Sequence, residues 1–344
     1  MERSRLDWVR CAPRMETGLG RARAMRALAE VGLSSVGLTR ADSVTNEVWL
    51  TKDYVVRVNR DASLRLQREA MLSQLLPAEV GYPTVVQYGG EIGSDWLVAE
   101  RVTGTPLSRC WPTMSGSTRR EAVRQLAARI RAVHQIKCPH LDGLTDVHRL
   151  LDPAPTGIQA VERLLAALER AARLPNVEPA IIREATEHVE GHASALEPFD
   201  AETIIHGDLT FENVLWDGEQ ITALLDFEFA RPGCPDLDLD VLLRFAAFPN
   251  LHVAPDYEAE TLAKDYVEVP WWLAEDYPEL FAYPDQLKRV RLYAISWDVH
   301  EMLAFPPASP YRDLHRHHPY RRLVHVLRGT SYLDRFNGDD PLDY

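Results

Sequence analysis

The run His206-Gly207-Asp208-Leu209-Thr210-Phe211-Glu212-Asn213 sets a carboxylate and an amide five residues apart, and Leu225-Asp226-Phe227 soon adds a second carboxylate. Hard oxygen donors meeting at one point suit Mg²⁺, which takes oxygen ligands and shares its shell with substrate phosphates and water. A carboxylate held beside them can accept the proton of an attacking hydroxyl. The flanking residues supply the elements that must position these groups. Ile204-Ile205 reads as a short strand leading into the run. Val214-Leu215-Trp216 and Ile221 to Leu225 are apolar runs on either side of Asp217-Gly218, a strong hairpin signal. Asn213 enters the first strand of that hairpin and Asp226 leaves the second, so the turn brings both to the same open end.

The spacing resembles the protein-kinase signature His-Arg-Asp-Leu-x-x-x-Asn with Asp-Phe-Gly, in which the first Asp receives the hydroxyl proton and the Asn and second Asp hold magnesium. This chain has Gly207 in place of that Arg and Glu228 in place of that Gly. His-Gly-Asp followed by Asp-Phe-Glu is instead similar to the aminoglycoside phosphotransferase family, which shares the protein-kinase fold and phosphorylates small molecules. The segment Arg231-Pro232-Gly233-Cys234-Pro235-Asp236-Leu237-Asp238-Leu239 also resembles that family's Gly-Asp-Pro-x-x-Asp-Leu, with Cys234 replacing an Asp.

The resemblance implies an α+β, bilobal protein-kinase-like fold: a small β-rich N-lobe with one key helix, and a larger, mainly helical C-lobe. Residues 1–102 would form the nucleotide-binding lobe and residues 103–344 the catalytic and substrate-binding lobe. Asp208 would be the catalytic proton acceptor, Asn213 and Asp226 the Mg²⁺ ligands, and ATP or GTP the co-substrate. His206 would fix the loop by hydrogen bonding, and Asp238 would brace it.

The N-terminal part reads as follows. Residues 21–31 form a short helix with Met25, Leu28 and Val31 on one side. Glu47–Leu50 and Tyr54–Val58 form a hairpin about Lys52-Asp53. No Gly-x-Gly-x-x-Gly precedes it; Ser43-Val44-Thr45-Asn46 stands there, so Ser43 and Asn46 are candidate phosphate contacts. Arg57 falls where protein kinases carry the phosphate-binding lysine, and a guanidinium can bind phosphate oxygens bidentately. Residues 61–76 form a helix ended by Pro77, with Leu64, Met71, Leu72 and Leu75 as apolar positions. Glu69 on it would orient Arg57 by family position, whereas pairing with Arg65 is the local alternative. Strands follow at 85–88 and 96–102, and Leu97 to Gly104 resembles the family's inter-lobe hinge. Backbone groups near Glu100 and Val102 would meet the purine edge.

In the C-terminal part, Thr118-x-x-Glu121 reads as a capping box, followed by the stripe Val123, Leu126, Ala127, Ile130 and Val133. His134 closes that stripe as a satisfied core histidine. Further helices are marked by Ile158, Val161, Leu164, Leu165 and Leu168, by Ile181, Ala185, Val189 and Leu196, and by Leu287, Val290, Ala294 and Trp297. Trp271-Trp272 beside Glu275-Asp276 suits either core packing or a sugar-binding face. His315, His317 and His318 lie among arginines and read as a solvated basic surface.

Composition agrees with an enzyme. The 344 residues carry 38 basic and 51 acidic side chains; residues 1–102 hold 14 and 13 of them, so the acidic excess lies in the second part. Nucleic-acid binding wants the opposite sign. An acidic lobe attracts a cationic acceptor. No apolar stretch is long enough to span a bilayer, and the charged first 20 residues lack a signal-peptide core, so a cytoplasmic protein with reduced cysteines is expected. The pattern sets no oligomeric state. The leading expectation is transfer of a nucleotide γ-phosphoryl to a hydroxyl of an antibiotic that bears a sugar or nucleoside. A metabolite kinase with a choline-, homoserine- or sugar-like acceptor is the first alternative, and an inactive kinase-like binding module the second.

Overall fold

The computed structural model describes residues 17–41, 46–137, 151, 156–199 and 202–336. The chain opens with α1 (Thr17–Glu30), followed by β1 (Thr39–Ala41), β2 (Glu47–Leu50) and β3 (Tyr54–Val58). After α2 (Arg65–Leu72) come β4 (Val85–Gly89) and β5 (Trp96–Glu100). These strands form one antiparallel sheet in the order β1-β2-β3-β5-β4. The alternation of apolar residues sends Trp49, Val56, Val58, Trp96 and Val98 to one face, where they pack on Ala24, Ala27 and Leu28 of α1. The helix therefore buries the alanine side of its second half, and Met25, expected inside, is exposed.

The helix expected over 61–76 is shorter and turned differently. Its buried face carries Leu66, Arg68, Glu69 and Leu72, while Met71 and Leu75 face solvent. Apolar periodicity gives the wrong face here because α2 presents charged groups to charged partners in the cleft. Leu72 belongs to the core of the larger lobe, as does Val80 of the 3-10 turn Ala78–Val80. Gly81 follows with φ 70°, and a Cβ there would collide with Thr222 O in the hairpin of residues 214–224, so only glycine lets the lobes approach this closely.

The sheet ends at Glu100, and by β6 (Thr105–Pro106) the chain pairs with the other lobe. Helices α3 (Leu107–Cys110), α4 (Gly116–His134), α5 (Gly157–Ala171) and α6 (Pro179–His192) follow. Ser115 caps α4 by accepting from Thr118 N, so the capping residue lies three positions before the expected Thr118. Gly116 and Ser117 thereby join the helix, and Glu121 is left to pair with Arg124. Ile158, expected in a helical stripe, is exposed at the start of α5; Val161, Leu164 and Leu168 are buried.

Strand β7 (Ile204–Ile205) leads to the hairpin of β8 (Val214–Trp216) and β9 (Ile221–Leu224), and β10 (Arg231–Pro232) pairs back on β7. The remaining helices are α7 (Asp236–Ala247), α8 (Val269–Asp276), α9 (Gln286–Ala304) and α10 (Pro319–Leu327). Their buried residues and those of α4 to α6 make a single core under the hairpin, with Trp111, Phe211, Phe245 and Tyr266 stacked beneath the His206–Asn213 loop. Among the described residues no helix is long and apolar enough to cross a membrane.

Candidate active site

The loop between β7 and β8 is fixed from below by Asp238 on α7. Its two carboxylate oxygens accept the backbone N–H groups of His206 (2.7 Å) and Gly207 (2.8 Å), and one also meets His134 Nε2 at 3.0 Å. Burial disfavours the Asp238 charge, but the His134 hydrogen bond, the two nearby imidazoles and the Gly207 N–H outweigh it and hold its pKa below the usual carboxylate value. His134 is thus a fully engaged interior group, its other nitrogen 3.1 Å from Tyr277 OH. Gly207 adopts φ 79°, and a Cβ there would strike Phe229 O and the Arg231 guanidinium. A side chain at that position is excluded on both counts.

His206 joins this loop to the second strand. Its Nε2 lies 2.9 Å from Leu225 O, a pure acceptor, and its Nδ1 receives Asp208 N–H at 3.3 Å. These partners select the neutral tautomer with the proton on Nε2. The imidazole therefore works as a spacer between the Asp208 and Asp226 backbones. Asn213 ties off the loop: its Nδ2 donates to Asp208 O at 2.8 Å and lies 3.4 Å from Asp208 Oδ2. Because the amide nitrogen is spent on Asp208, Oδ1 is the group left to face a cation. Leu225 N donates to Asn213 O at 2.8 Å, which closes the hairpin mouth and sets Asp226 beside it. Asp226 itself has left-handed φ, ψ of 65°, 58°, a conformation that Asp tolerates better than most residues. That twist turns its carboxylate out of the β9 line and into the cleft.

From above, Arg57 on β3 reaches the same point. Its Nη1 donates to both oxygens of Glu69, at 2.6 and 2.5 Å. Its Nη2 donates to Asp226 Oδ1 at 2.6 Å and to Glu228 Oε2 at 3.0 Å. Burial works against the Arg57 charge, yet Asp226, Glu69 and Glu228 together raise its pKa well above the ordinary guanidinium value. Tyr82 OH donates to Glu69 Oε1 at 2.8 Å, and Phe227 N donates to the same oxygen at 3.3 Å. The structure thus brings Asp208, Asn213, Asp226, Arg57 and Glu69 to one cleft mouth. Glu69 takes Arg57 as its partner, across the lobe, rather than its helix neighbour Arg65.

The other candidates fall differently. Ser43 lies outside the described residues. Asn46 is fully buried, and its Nδ2 is turned to Glu228 Oε2 at 2.5 Å rather than to the open cleft. Glu100 N–H is already spent on Thr84 O at 2.9 Å. Among the described residues the backbone groups of Val102 have no hydrogen-bond partner, which leaves Val102 as the available donor and acceptor of the hinge. Trp271 and Trp272 are half-buried on α8, and the acids beside them are claimed by Arg120, which pairs with Glu275 and Asp276. The histidine-rich segment is partly structural: His318 caps α10 by accepting Tyr320 N–H, and Arg322 pairs with Asp298 at 2.6 Å.

Some partners at the site had no local sequence signal. Glu228 stands in the Asp-Phe-Glu segment, but its pairing with Arg57 and Asn46, like that of Tyr82 with Glu69, comes only through the fold. Glu212, one residue before Asn213, accepts Ser108 Oγ and Tyr257 OH, and the Arg109 guanidinium covers the Tyr257 ring at 3.9 Å. This cluster ties the chain around residue 257 to the loop between β7 and β8.

The donor set fits magnesium. Among the described residues no three His, Cys, Asp or Glu side chains gather as a self-sufficient metal cluster. One carboxylate and one amide oxygen at a cleft mouth are the partial shell that Mg²⁺ completes with phosphate and water. A cationic group, the Arg57 guanidinium, already rests on Asp226 Oδ1.

A family model for the phosphotransferase enzyme family, APH, matches residues 38–272. This chain belongs to the phosphotransferase enzyme family. It is accordingly a small-molecule kinase. Among solved structures, an ADP-bound aminoglycoside phosphotransferase APH(2'')-Ib is similar, with a TM-score of 0.61 at 16% identity over 90% of this chain and 97% of that one. A choline/ethanolamine kinase family protein from Mesorhizobium loti gives 0.59 at 17% identity, over 93% and 98%. The GDP complex of aminoglycoside 2'-phosphotransferase-IIIa gives 0.58 at 14% identity, over 92% and 98%. No curated protein matches the sequence. At these identities the structural likeness speaks for the kinase-like fold alone.

Proposed function

We propose that this phosphotransferase moves the γ-phosphoryl of ATP or GTP to a hydroxyl of a small antibiotic, one carrying a sugar or nucleoside, and so confers resistance. The observation that carries the reading is the meeting of Asp208, Asn213 and Asp226 with the Arg57–Glu69 pair at one cleft mouth. We take residues 1–102 as the nucleotide-binding lobe and residues 103–344 as the catalytic and substrate-binding lobe.

In this reading Asp208 accepts the hydroxyl proton and points the oxygen in line with the phosphorus. Asn213 Oδ1 and the Asp226 carboxylate would hold Mg²⁺, which when bound would supply positive charge to offset that of the nucleotide phosphates. Arg57, set by Glu69, steadies the phosphates. Val102, with its free N–H and C=O, takes the purine edge. The loop on Asp238 supplies pre-organisation: Asp208 is held by backbone bonds and needs no rearrangement as the reaction proceeds. The acidic second part of the chain favours a cationic acceptor by long-range attraction.

The second reading, a metabolite kinase, draws support from the likeness to the choline/ethanolamine kinase family protein, nearly equal to that with the antibiotic kinases. Expression in a sensitive bacterium against an antibiotic panel separates the two. A raised inhibitory concentration that vanishes in Asp208→Ala is expected. No change with any antibiotic, together with turnover of a choline-, homoserine- or sugar-like compound, would transfer the assignment to the metabolite kinase.

A further inference from the structure

We infer that Glu228, with Asn46 behind it, is the positioning residue that takes over Arg57 when Asp226 turns to the metal. The inference rests on the phosphotransfer reading above and deepens it. In the protein as described, Arg57 Nη2 is shared by two carboxylates, Asp226 Oδ1 at 2.6 Å and Glu228 Oε2 at 3.0 Å. Asp226 cannot give its oxygen fully to the guanidinium and to a divalent ion at once. Loading the site therefore removes the nearer acceptor from Nη2 and leaves Glu228 as the carboxylate that still holds it.

Glu228 is built to remain. Its side chain is buried, whereas the Asp226 side chain keeps 30% exposure. Asn46 Nδ2 holds the same Oε2 at 2.5 Å from the other lobe, and Arg68 donates to the Glu228 carbonyl. Three carboxylates thus surround one guanidinium: Glu69 and Glu228 are anchored, and Asp226 can exchange. The two-nitrogen fork of arginine serves this arrangement, because one nitrogen stays on Glu69 while the other keeps Glu228 with one N–H and turns the N–H released by Asp226 to the phosphates.

The test is calorimetric titration of ATP and of GTP, each with and without Mg²⁺, into wild type, Glu228→Gln, Glu228→Asp and Asn46→Ala. The readout is the factor by which Mg²⁺ tightens nucleotide binding. In Glu228→Gln that factor should fall about tenfold, with metal-free binding changed by less than about twofold. Glu228→Asp should recover part of it, and Asn46→Ala should lose about threefold. Arg57→Lys combined with Glu228→Gln should show less than the product of the single losses, because both remove one contact. A brace with no role toward the metal would lower the melting temperature and leave the factor unchanged; a folded Glu228→Gln or Asn46→Ala with the wild-type factor overturns the inference. Wild type that binds neither nucleotide more tightly with Mg²⁺ overturns the phosphotransfer reading itself.

Discussion

The two halves of the cleft mouth are held by opposite means. Below, the His206–Asp208 loop rests on uncharged N–H groups aimed at one buried carboxylate, Asp238, with His206 as a neutral spacer to Leu225. Above, Arg57 rests on charged hydrogen bonds, divided among Glu69 on α2 and Asp226 and Glu228 of the turn after β9. The lower half has one arrangement that satisfies every group. The upper half has acceptors to spare, so partners can exchange when phosphates and a cation arrive. On the proposed reading, Asp208 as proton acceptor gains from being fixed in advance, whereas Arg57 as phosphate clamp must let go of a resting partner. The difference teaches that hydrogen bonds to backbone build the permanent part of this site and ion pairs the exchangeable part.

Four measurements break or sharpen this contrast. Asp208→Ala should lower kcat by about a thousandfold or more while thermal unfolding and nucleotide affinity stay close to wild type; a strong fall in nucleotide affinity would mean that the lower half does not act on the acceptor alone. Asp238→Ala orphans two buried N–H groups and should cost about 3 kcal/mol of stability in denaturant unfolding, with kcat falling alongside. Arg57→Lys keeps the charge but loses the fork, so kcat/KM for nucleotide should fall about thirtyfold with little change in melting temperature. A greater loss of stability from Arg57→Lys than from Asp238→Ala would reverse the contrast.

The smallest effect concerns pH and lies away from the cleft. His318 must be neutral at Nδ1 to accept Tyr320 N–H, and burial beside Arg322 and His315 lowers its pKa from 6.5 to about 4. A depressed histidine adds stability that is complete above about 6.5 and declines as pH falls toward 4. Asp298, raised by burial to about 6, runs the other way, favouring the fold as pH falls below that value. Melting curves between pH 7 and pH 4 should therefore show a shallower decline in His318→Asn than in wild type, whereas identical slopes would remove His318 as the cap that matters.

The catalytic hairpin was legible because every signal in it is local. Asp-Gly between apolar runs fixes the turn, and the turn fixes which end Asn213 and Asp226 share. The N-lobe strands were equally readable from their alternation. Helix α2 was not: its apolar positions named the wrong face, since Arg68 and Glu69 are buried against charged and carbonyl partners that no periodicity records. The same holds for Ser115, which displaced Thr118 as the cap because the loop before α4 already had the extended conformation a capping residue needs. Trp271-Trp272 next to two acids left two readings open until Arg120 was found on those acids.

By itself the sequence determined the chemical vocabulary and its local grammar: which side chains stand at kinase spacing, which strands flank them, and that one turn gathers an amide and a carboxylate. Those are interactions within about 20 residues, where geometry follows from backbone preference. Only the tertiary structure decided what each charge is paired with. Asn46 meets Glu228 across 182 residues and Arg57 meets Asp226 across 169, and such pairings depend on how two lobes close over a cleft. No local preference encodes that distance; burial and charge balance at the closed interface do.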